Sequence, residues 1–349
     1  MAEARHAKVQ SEASPSWSRA YDAGKAVAIV LVVLAHVTRW YTGQGVNTPV
    51  QPSRPLALLT NYIYMFHMPL FIFVSGGVYG ICIDKGKYRD GARFLLNKIH
   101  RLLIPYYIWG MLVVAPLMVG LGFAHSSYLH YAWKSIVLAE DGRHLWFIFT
   151  LFMLFVIAML IRPVILRYDL VSSGLILGVG LVLFFASPHV GYIFQFANIC
   201  KYFIFFMAGV YANHMLASRE LNRQMIFWAG IIGFVILSIS YVVYYRVISA
   251  YIFVLTGAFG GIAVMLAIAW WLQSSDRIFN SWLLRNIRKN AYGIFFIHVE
   301  IIYTAFKLFD GKAVNPVLFT VVVFLVAFTL SDALTAALRK VHLGFVLGE

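Results

Sequence analysis

The sequence predicts an all-α, polytopic integral membrane protein with about ten transmembrane helices and both termini cytoplasmic. Three observations predict it. Hydrophobic residues make up 61% of the 349 and charged residues only 12%, against about 25% charged in an average soluble domain, and the mean hydropathy is +0.79. Apolar stretches long enough to cross a bilayer, about 20 residues each, recur from residue 25 to the C-terminus with no soluble block between them. Lys and Arg fall unevenly on the two sides of those stretches, as they do in membrane proteins.

Taken in order, the first span runs over 25–42 and is carried by AIVLVVLAHV. The second, 57–82, contains FHMPLFIFVSGG and ends at the polar run DKGKYRDG. That run opens an amphipathic segment expected to lie on the inner face, where Lys and Arg meet headgroups. The third span, 102–123, starts with LLIPYYIW; the fourth, 144–162, with HLWFIFTLF. The fifth, 170–187, and the sixth, 197–215, are parted by a short turn at Ser187 and Pro188. The seventh and eighth cover 225–245 and 251–273. The ninth, 290–309, and the tenth, 314–336, are divided by FDGKAVNP. All ten are helices, because lipid offers backbone groups no partners and the alternation of a membrane barrel is missing. Residues 1–20 (MAEARHAKVQSEASPSWSRA) are polar, lack the apolar core of a cleavable signal, and read as a disordered cytoplasmic tail. Residues 21–341 form one integral domain and 342–349 a short cytoplasmic C-terminus.

With the N-terminus inside, the cytoplasmic side collects 20 of the 28 basic residues, among them the belt Lys85, Lys87, Arg89, Arg93, Lys98 and Arg101. The outer side keeps eight, including Arg39, Lys134 and Arg143. A missed or invented helix would scramble this alternation, so the bias also supports the count. It explains most of the net charge of +14, together with attraction to anionic lipid, and nucleic acid is not an expected partner. Cys82 and Cys200 fall at opposite faces, which argues against a disulfide, and no metal-ligand spacing is present.

The chemistry-bearing residues stand out against the apolar background. His36, His67 and His298 each lie inside a span, and an ionisable ring in hydrocarbon needs a partner, a wet cavity or a function. One such ring alone is as often a hydrogen-bonded core residue; three at similar depth read as a site. Lys25 precedes His36 by eleven positions, about 16 Å along a helix, so the first helix offers a cation at the inner mouth and a base at depth. Asp22 orients Lys25 or caps the helix. In the second span, Pro69 loosens the backbone, while Ser75, Gly76 and Gly77 allow close approach of another helix. Glu300 sits two residues beyond His298 and points to a different face. Lys98 and Arg101, three apart on one helical face, suit the phosphates of a nucleotide-like donor; a lipid-facing belt explains them as well. At the outer end of the fourth span, Arg143, His144 and Trp146 are either an interfacial belt or the entrance for an acceptor such as a sugar, which would stack on Trp146 and hydrogen-bond to the others.

The series DAGKAVAIVLVVLAHV, FHMPLFIFVSGG, NKIHRLLIPYYIW, HLWFIFTLF and NAYGIFFIHVEIIY, in this order over about 19–336, resembles the acyltransferase 3 family of membrane-bound acyltransferases. Within it, the sequence is most similar to the branch with fucose O-acetylases and exopolysaccharide acetyltransferases. The resemblance implies transfer of an acetyl or other acyl group from acyl-CoA, with no metal, to a hydroxyl of an exopolysaccharide or lipid-linked oligosaccharide in the bacterial inner (cytoplasmic) membrane. The family's basic residue, ten positions, histidine pattern falls on Lys25 and His36, its helix-two and helix-nine histidines on His67 and His298, and its Arg, two residues, Arg pattern on Lys98 and Arg101. Lys in place of Arg keeps the charge and loses bidentate geometry. A general base near neutral pH suits His36, which either deprotonates the hydroxyl or takes the acyl group transiently itself, with His67 and His298 beside it as catalytic candidates. Lys25, Arg93, Lys98 and Arg101 are expected to hold the donor, and Asp22, Ser75, His144 and Trp146 to line the substrate pocket. A transporter or exporter of a glycan is the rival reading, since buried histidines and a broken helix suit one too; against it stand the lack of an inverted repeat and the few buried carboxylates.

Overall fold

The computed structural model describes the backbone of residues 2–44, 47–217 and 222–349, with side chains over 18–44, 47–216 and 222–349. Among the described residues, ten helices are long and apolar enough to cross a membrane: α1 Ser18–Thr42, α2 Arg54–Asp84, α3 Gly91–Gly120, α4 Arg143–Leu160, α5 Leu170–His189, α6 Ile193–Leu216, α7 Arg223–Arg246, α8 Tyr251–Ser274, α9 Trp282–Leu308 and α10 Pro316–Lys340. Among the described residues there is no strand. Each expected span has its counterpart. The expected tail over 1–20 falls almost wholly on residues whose side chains lie outside the described ones.

Three starts differ from expectation, for one physical reason. Polar and charged residues take helical geometry readily and are invisible to a hydropathy window. Thus α1 and α9 begin several residues before their apolar runs, and the amphipathic segment after α2 is not a separate surface helix. Asp90 caps it by accepting the Arg93 amide N–H at 3.1 Å, and it then runs unbroken into α3. The break in α2 also lies elsewhere than at Pro69. The helix stops at Tyr64 and restarts at His67, placing Pro69 in a first turn, where its missing N–H costs nothing.

The chain divides into two compact units. The first comprises Met1–Ala28, Met65–Arg89 and Ile204–Lys289. Its helices meet through glycine. Gly76 and Gly80, a small-xxx-small pair on α2, lie against the backbone of Phe206 and Val210 on α6, and Gly209 of α6 lies against the carbonyl of Phe73. Gly233 of α7 and Gly260 of α8 face each other's carbonyls in the same way. Lipid supplies no hydrophobic drive for helix association, so close backbone approach and the dispersion contacts it allows hold such pairs. At one end Arg19 pairs with Asp276 at 2.5 Å, and the Arg19 and Arg288 guanidinium groups lie 4.4 Å and 3.6 Å from the centre of the Phe279 ring.

The second unit comprises Ile29–Tyr64, Asp90–Phe203 and Asn290–Glu349. It contains three π-helical stretches, Ile99–Leu103, Gly110–Val114 and Ala132–Val137, a feature that collects at functional sites. Two of them touch: a Cβ on Gly110 would come within 2.6 Å of the Ile136 side chain. The core is aromatic. Trp40 stacks on Phe306 at 4.9 Å and packs on Phe319 at 4.5 Å, and buried Tyr106 donates its hydroxyl hydrogen to the Ile136 carbonyl at 2.9 Å.

Candidate active site

Three imidazoles stand in a row inside the second unit. The His36 and His298 ring centres are 5.1 Å apart at 66°, and those of His298 and His144 are 5.8 Å apart at 70°. His298, at the centre, is fully buried, His144 is 4% exposed, and His36 is half-buried. Of the three, His36 is therefore the ring a substrate can meet.

The local chain fixes each ring. His298 has one nitrogen held by its own helix, since Nδ1 donates to the Ile294 carbonyl one turn back at 2.9 Å. That bond selects the tautomer with the lone pair on Nε2, and Nε2 is buried with no hydrogen-bond partner within the protein. His144 sits in the 3-10 turn Arg143–Leu145 that opens α4. Its Nε2 donates to the Phe296 carbonyl at 3.3 Å and lies 3.7 Å from Glu300 Oε1. Two residues apart on α9, His298 and Glu300 face differently, as the helical period requires; the carboxylate serves His144 instead. Its second oxygen is buried and unpartnered within the protein.

Cations border the row on one side. α1 closes in the 3-10 turn Arg39–Thr42, ended by Gly43 at φ +71°, a left-handed position that glycine accepts without strain. This turn places Arg39 three residues beyond His36. Arg39 Nη1 donates to the Tyr64 hydroxyl at 3.3 Å, and the Tyr64 ring is 6.5 Å from that of His36. Arg39 also lies within electrostatic reach of Tyr303 and Arg143.

Of the residues expected from sequence, the structure brings together His36, His298 and His144. Arg143, the neighbour of His144 at the expected acceptor entrance, joins them, and so do Arg39, Tyr64, Glu300 and Tyr303, which had not been singled out as site residues. A signal existed for two of these: Glu300 is an intramembrane carboxylate, which reads as functional by default, and Arg39 shares a helix face with His36. Trp146 stacks on Tyr202, with ring centres 5.2 Å apart.

His67, Lys25, Asp22 and Ser75 belong to the first unit. His67 is buried. Lys25 pairs with Asp22 at 2.6 Å; Asp22 is inside a helix that begins upstream, so of the two expectations it is the pairing, and not the cap, that holds. Ser75 donates back to the Phe71 carbonyl at 2.8 Å.

Lys98 and Arg101 belong to the second unit, with the π turn Ile99–Leu103 starting between them. Lys98 lies 3.6 Å over the Phe155 ring. Arg101 Nε donates to the Gly348 carbonyl at 3.2 Å, and its own carbonyl accepts the Tyr292 hydroxyl at 2.9 Å. Arg93 is exposed on the first turn of α3.

The C-terminal segment is strapped over this end of the unit. Trp109 Nε1 donates to the Val346 carbonyl at 2.7 Å, Leu347 is fully buried, and Arg339 forks onto the Glu349 carboxylate. Gly348 sits at φ +72° where an added Cβ would meet the Arg101 carbonyl. Gly348→Ala is accordingly expected to cost about 1 kcal/mol or more, because alanine is disfavoured at positive φ. Faster amide hydrogen exchange over 344–349 would register it.

Comparison with known proteins agrees with this picture. An acyltransferase domain of the acyltransferase 3 type matches residues 18–336. The chain is also similar to Nodulation protein NolL of Mesorhizobium japonicum, 29% identical over 93 residues that make up 27% of this chain and 23% of that protein. The match thus spans under a quarter of the relative's length. No solved structure matches. Since the domain match reaches from the first residue of α1 to within about a turn of the end of α10, the chain belongs to the acyltransferase 3 family.

Proposed function

We propose that the protein moves an acetyl group, or another acyl group, from cytoplasmic acyl-CoA to a sugar hydroxyl of an exopolysaccharide or envelope glycan, in the bacterial inner membrane with both termini inside. The observation that carries this reading is the imidazole row bordered by guanidinium groups within a chain of this family. Acyl transfer to an alcohol needs a base for the hydroxyl proton and donors for the oxyanion. His36 takes the proton as the oxygen attacks the thioester carbonyl. The tetrahedral oxyanion forms beside Arg39, and as the carbon–sulfur bond breaks the imidazolium returns its proton to the leaving thiolate. His298 acts behind His36 as a positioning residue, and the His144–Glu300 pair holds His298 in turn. This is triad logic with a backbone carbonyl as one of the orienters.

Arg101 and Arg93 suit the donor phosphates from the inner side, with Lys98 as a further cation. For His67 and Lys25 the proposed parts in pocket and donor binding rest on the sequence resemblance, and for Asp22 and Ser75 on their positions beside them in the sequence.

The test is transfer of radiolabelled acetyl-CoA by the purified protein in proteoliposomes carrying surface glycan. Label in the carbohydrate supports the reading, whereas glycan that crosses the membrane unlabelled makes the protein a transporter. Glu300→Gln is expected to lower kcat about 10- to 100-fold with little change in KM, the size seen when a group that orients a histidine is lost. A rise in KM alone would assign Glu300 to binding instead.

A further inference from the structure

A cavity of about 460 Å³, lined mostly by charged and polar residues, opens in the second unit between the α3–α4 connection and the turn before α6. Its volume falls in the range of small-molecule sites, about 300–1,000 Å³. Beside His125 and His130, its two carboxylates pair off with its Lys and Arg. Lys134 pairs with Glu140 at 3.7 Å and Arg143 with Asp141 at 3.9 Å, while Tyr131 and Tyr192 supply aromatic faces. Cations that each have a carboxylate do not form an anion trap. Paired donors and acceptors beside aromatic rings instead match a ligand with many hydroxyls and an apolar ring face. Tyr131 is buried at the wall, and burial pushes its phenol above its ordinary pKa.

One wall residue, Arg143, and three residues just behind the walls are held in costly conformations. Arg143, Ala139, Phe194 and Gln195 have φ of 50°, 52°, 49° and 59°, a left-handed region that non-glycine residues seldom enter. Cross-links keep them there: the Phe194 amide donates to the Leu138 carbonyl at 2.7 Å, and Gln195 Nε2 donates to the Ala139 carbonyl. Backbone strain of this kind persists where surrounding structure over-determines it, and it clusters at ligand sites.

The cavity is joined to the imidazole row by two consecutive residues. Arg143 lines it, and the next residue, His144, is the outer ring of the row. Arg143 also lies within electrostatic reach of Tyr303, which links it to Arg39 and Tyr64.

We infer that this cavity is the acceptor site and takes an uncharged pyranose, read by Glu140 and Asp141 through its hydroxyls and by Tyr192 through its ring face, with Arg143 positioning the reacting hydroxyl toward His36. The inference rests on the acyl-transfer reading above. The two connections that form the cavity fall on the outer side by the distribution of basic residues.

Saturation-transfer NMR on the full-length protein in nanodiscs tests it. The probes are the methyl α-glycosides of glucose, galactose, fucose and rhamnose, with methyl glucuronoside as the charged comparison. Tyr192 is 56% exposed, so Tyr192→Ala is expected to fold normally, and Asp141→Asn keeps shape while removing charge. The expected result is saturation of at least one neutral glycoside by the wild type, reduced several-fold in both variants, with the acceptor KM in the labelled-acetyl assay raised about tenfold or more. Equal saturation in wild type and variants overturns the inference, as do absence of saturation from all neutral glycosides and preference for the glucuronoside. Failure of the acyl-transfer reading looks different: the wild type then binds glycoside and loses it in the variants, yet moves no label from acetyl-CoA.

Discussion

Replacing His36 with alanine is expected to lower acetyl transfer to carbohydrate by about 10²- to 10⁴-fold, the usual contribution of a positioned general base. The same substitution at His298 is expected to cost nearly as much. The two rings are 5.1 Å apart, and groups that act as a unit do not add when removed together, so the double variant should fall little below the worse single one. The partial reactions separate their roles. If His36 alone meets the hydroxyl, His36→Ala keeps donor binding and loses transfer. His298→Ala leaves a base in place but badly oriented, so small nucleophiles such as hydroxylamine should recover more activity in it than in His36→Ala. Both measurements use purified protein in proteoliposomes. Unchanged transfer by His36→Ala would remove the proposed mechanism outright, and additive losses in the double variant would mean that the rings serve separate steps.

Gly209→Val is expected to be the most damaging single substitution for folding of the first unit. A Cβ at Gly209 would run into the Phe73 carbonyl, and one at Gly76 into the Phe206 carbonyl. These obstacles are backbone atoms, so no rotamer change relieves them and the helices must separate. Overpacking costs about 1–3 kcal/mol even where side chains can move, and here the cost should exceed that range. The readout is thermal unfolding in detergent with the folded yield after extraction. Gly120→Val serves as the control, because nothing lies within 4 Å of a Cβ there. Equal behaviour of the two variants would contradict the close helix crossing.

How much of this was legible in the chain depends on the range of the interaction involved. Ten spans, their order and their all-helical character follow from local composition, since about 20 apolar residues and an unsatisfiable backbone leave one solution per segment. For the same reason His298 and His36 could be singled out as costly residues without any knowledge of their neighbours. Pairing is another matter. That His298 stands between His36 and His144, and that Glu300 turns toward His144, depends on the rotation of α1, α4 and α9 about their own axes, set by packing over separations of more than a hundred residues. The basic pair on α3 shows the limit most plainly: spacing of three suggests a shared face for Lys98 and Arg101, but it contains neither the π turn after Lys98 nor the partners each finds, Phe155 for the first and the Gly348 carbonyl for the second. Composition therefore settled the solvent, the number of helices and which residues were too expensive to be idle. Packing settled which of them meet, because a side chain's partner is fixed by the angle at which its helix faces another, and no window of local sequence contains that angle.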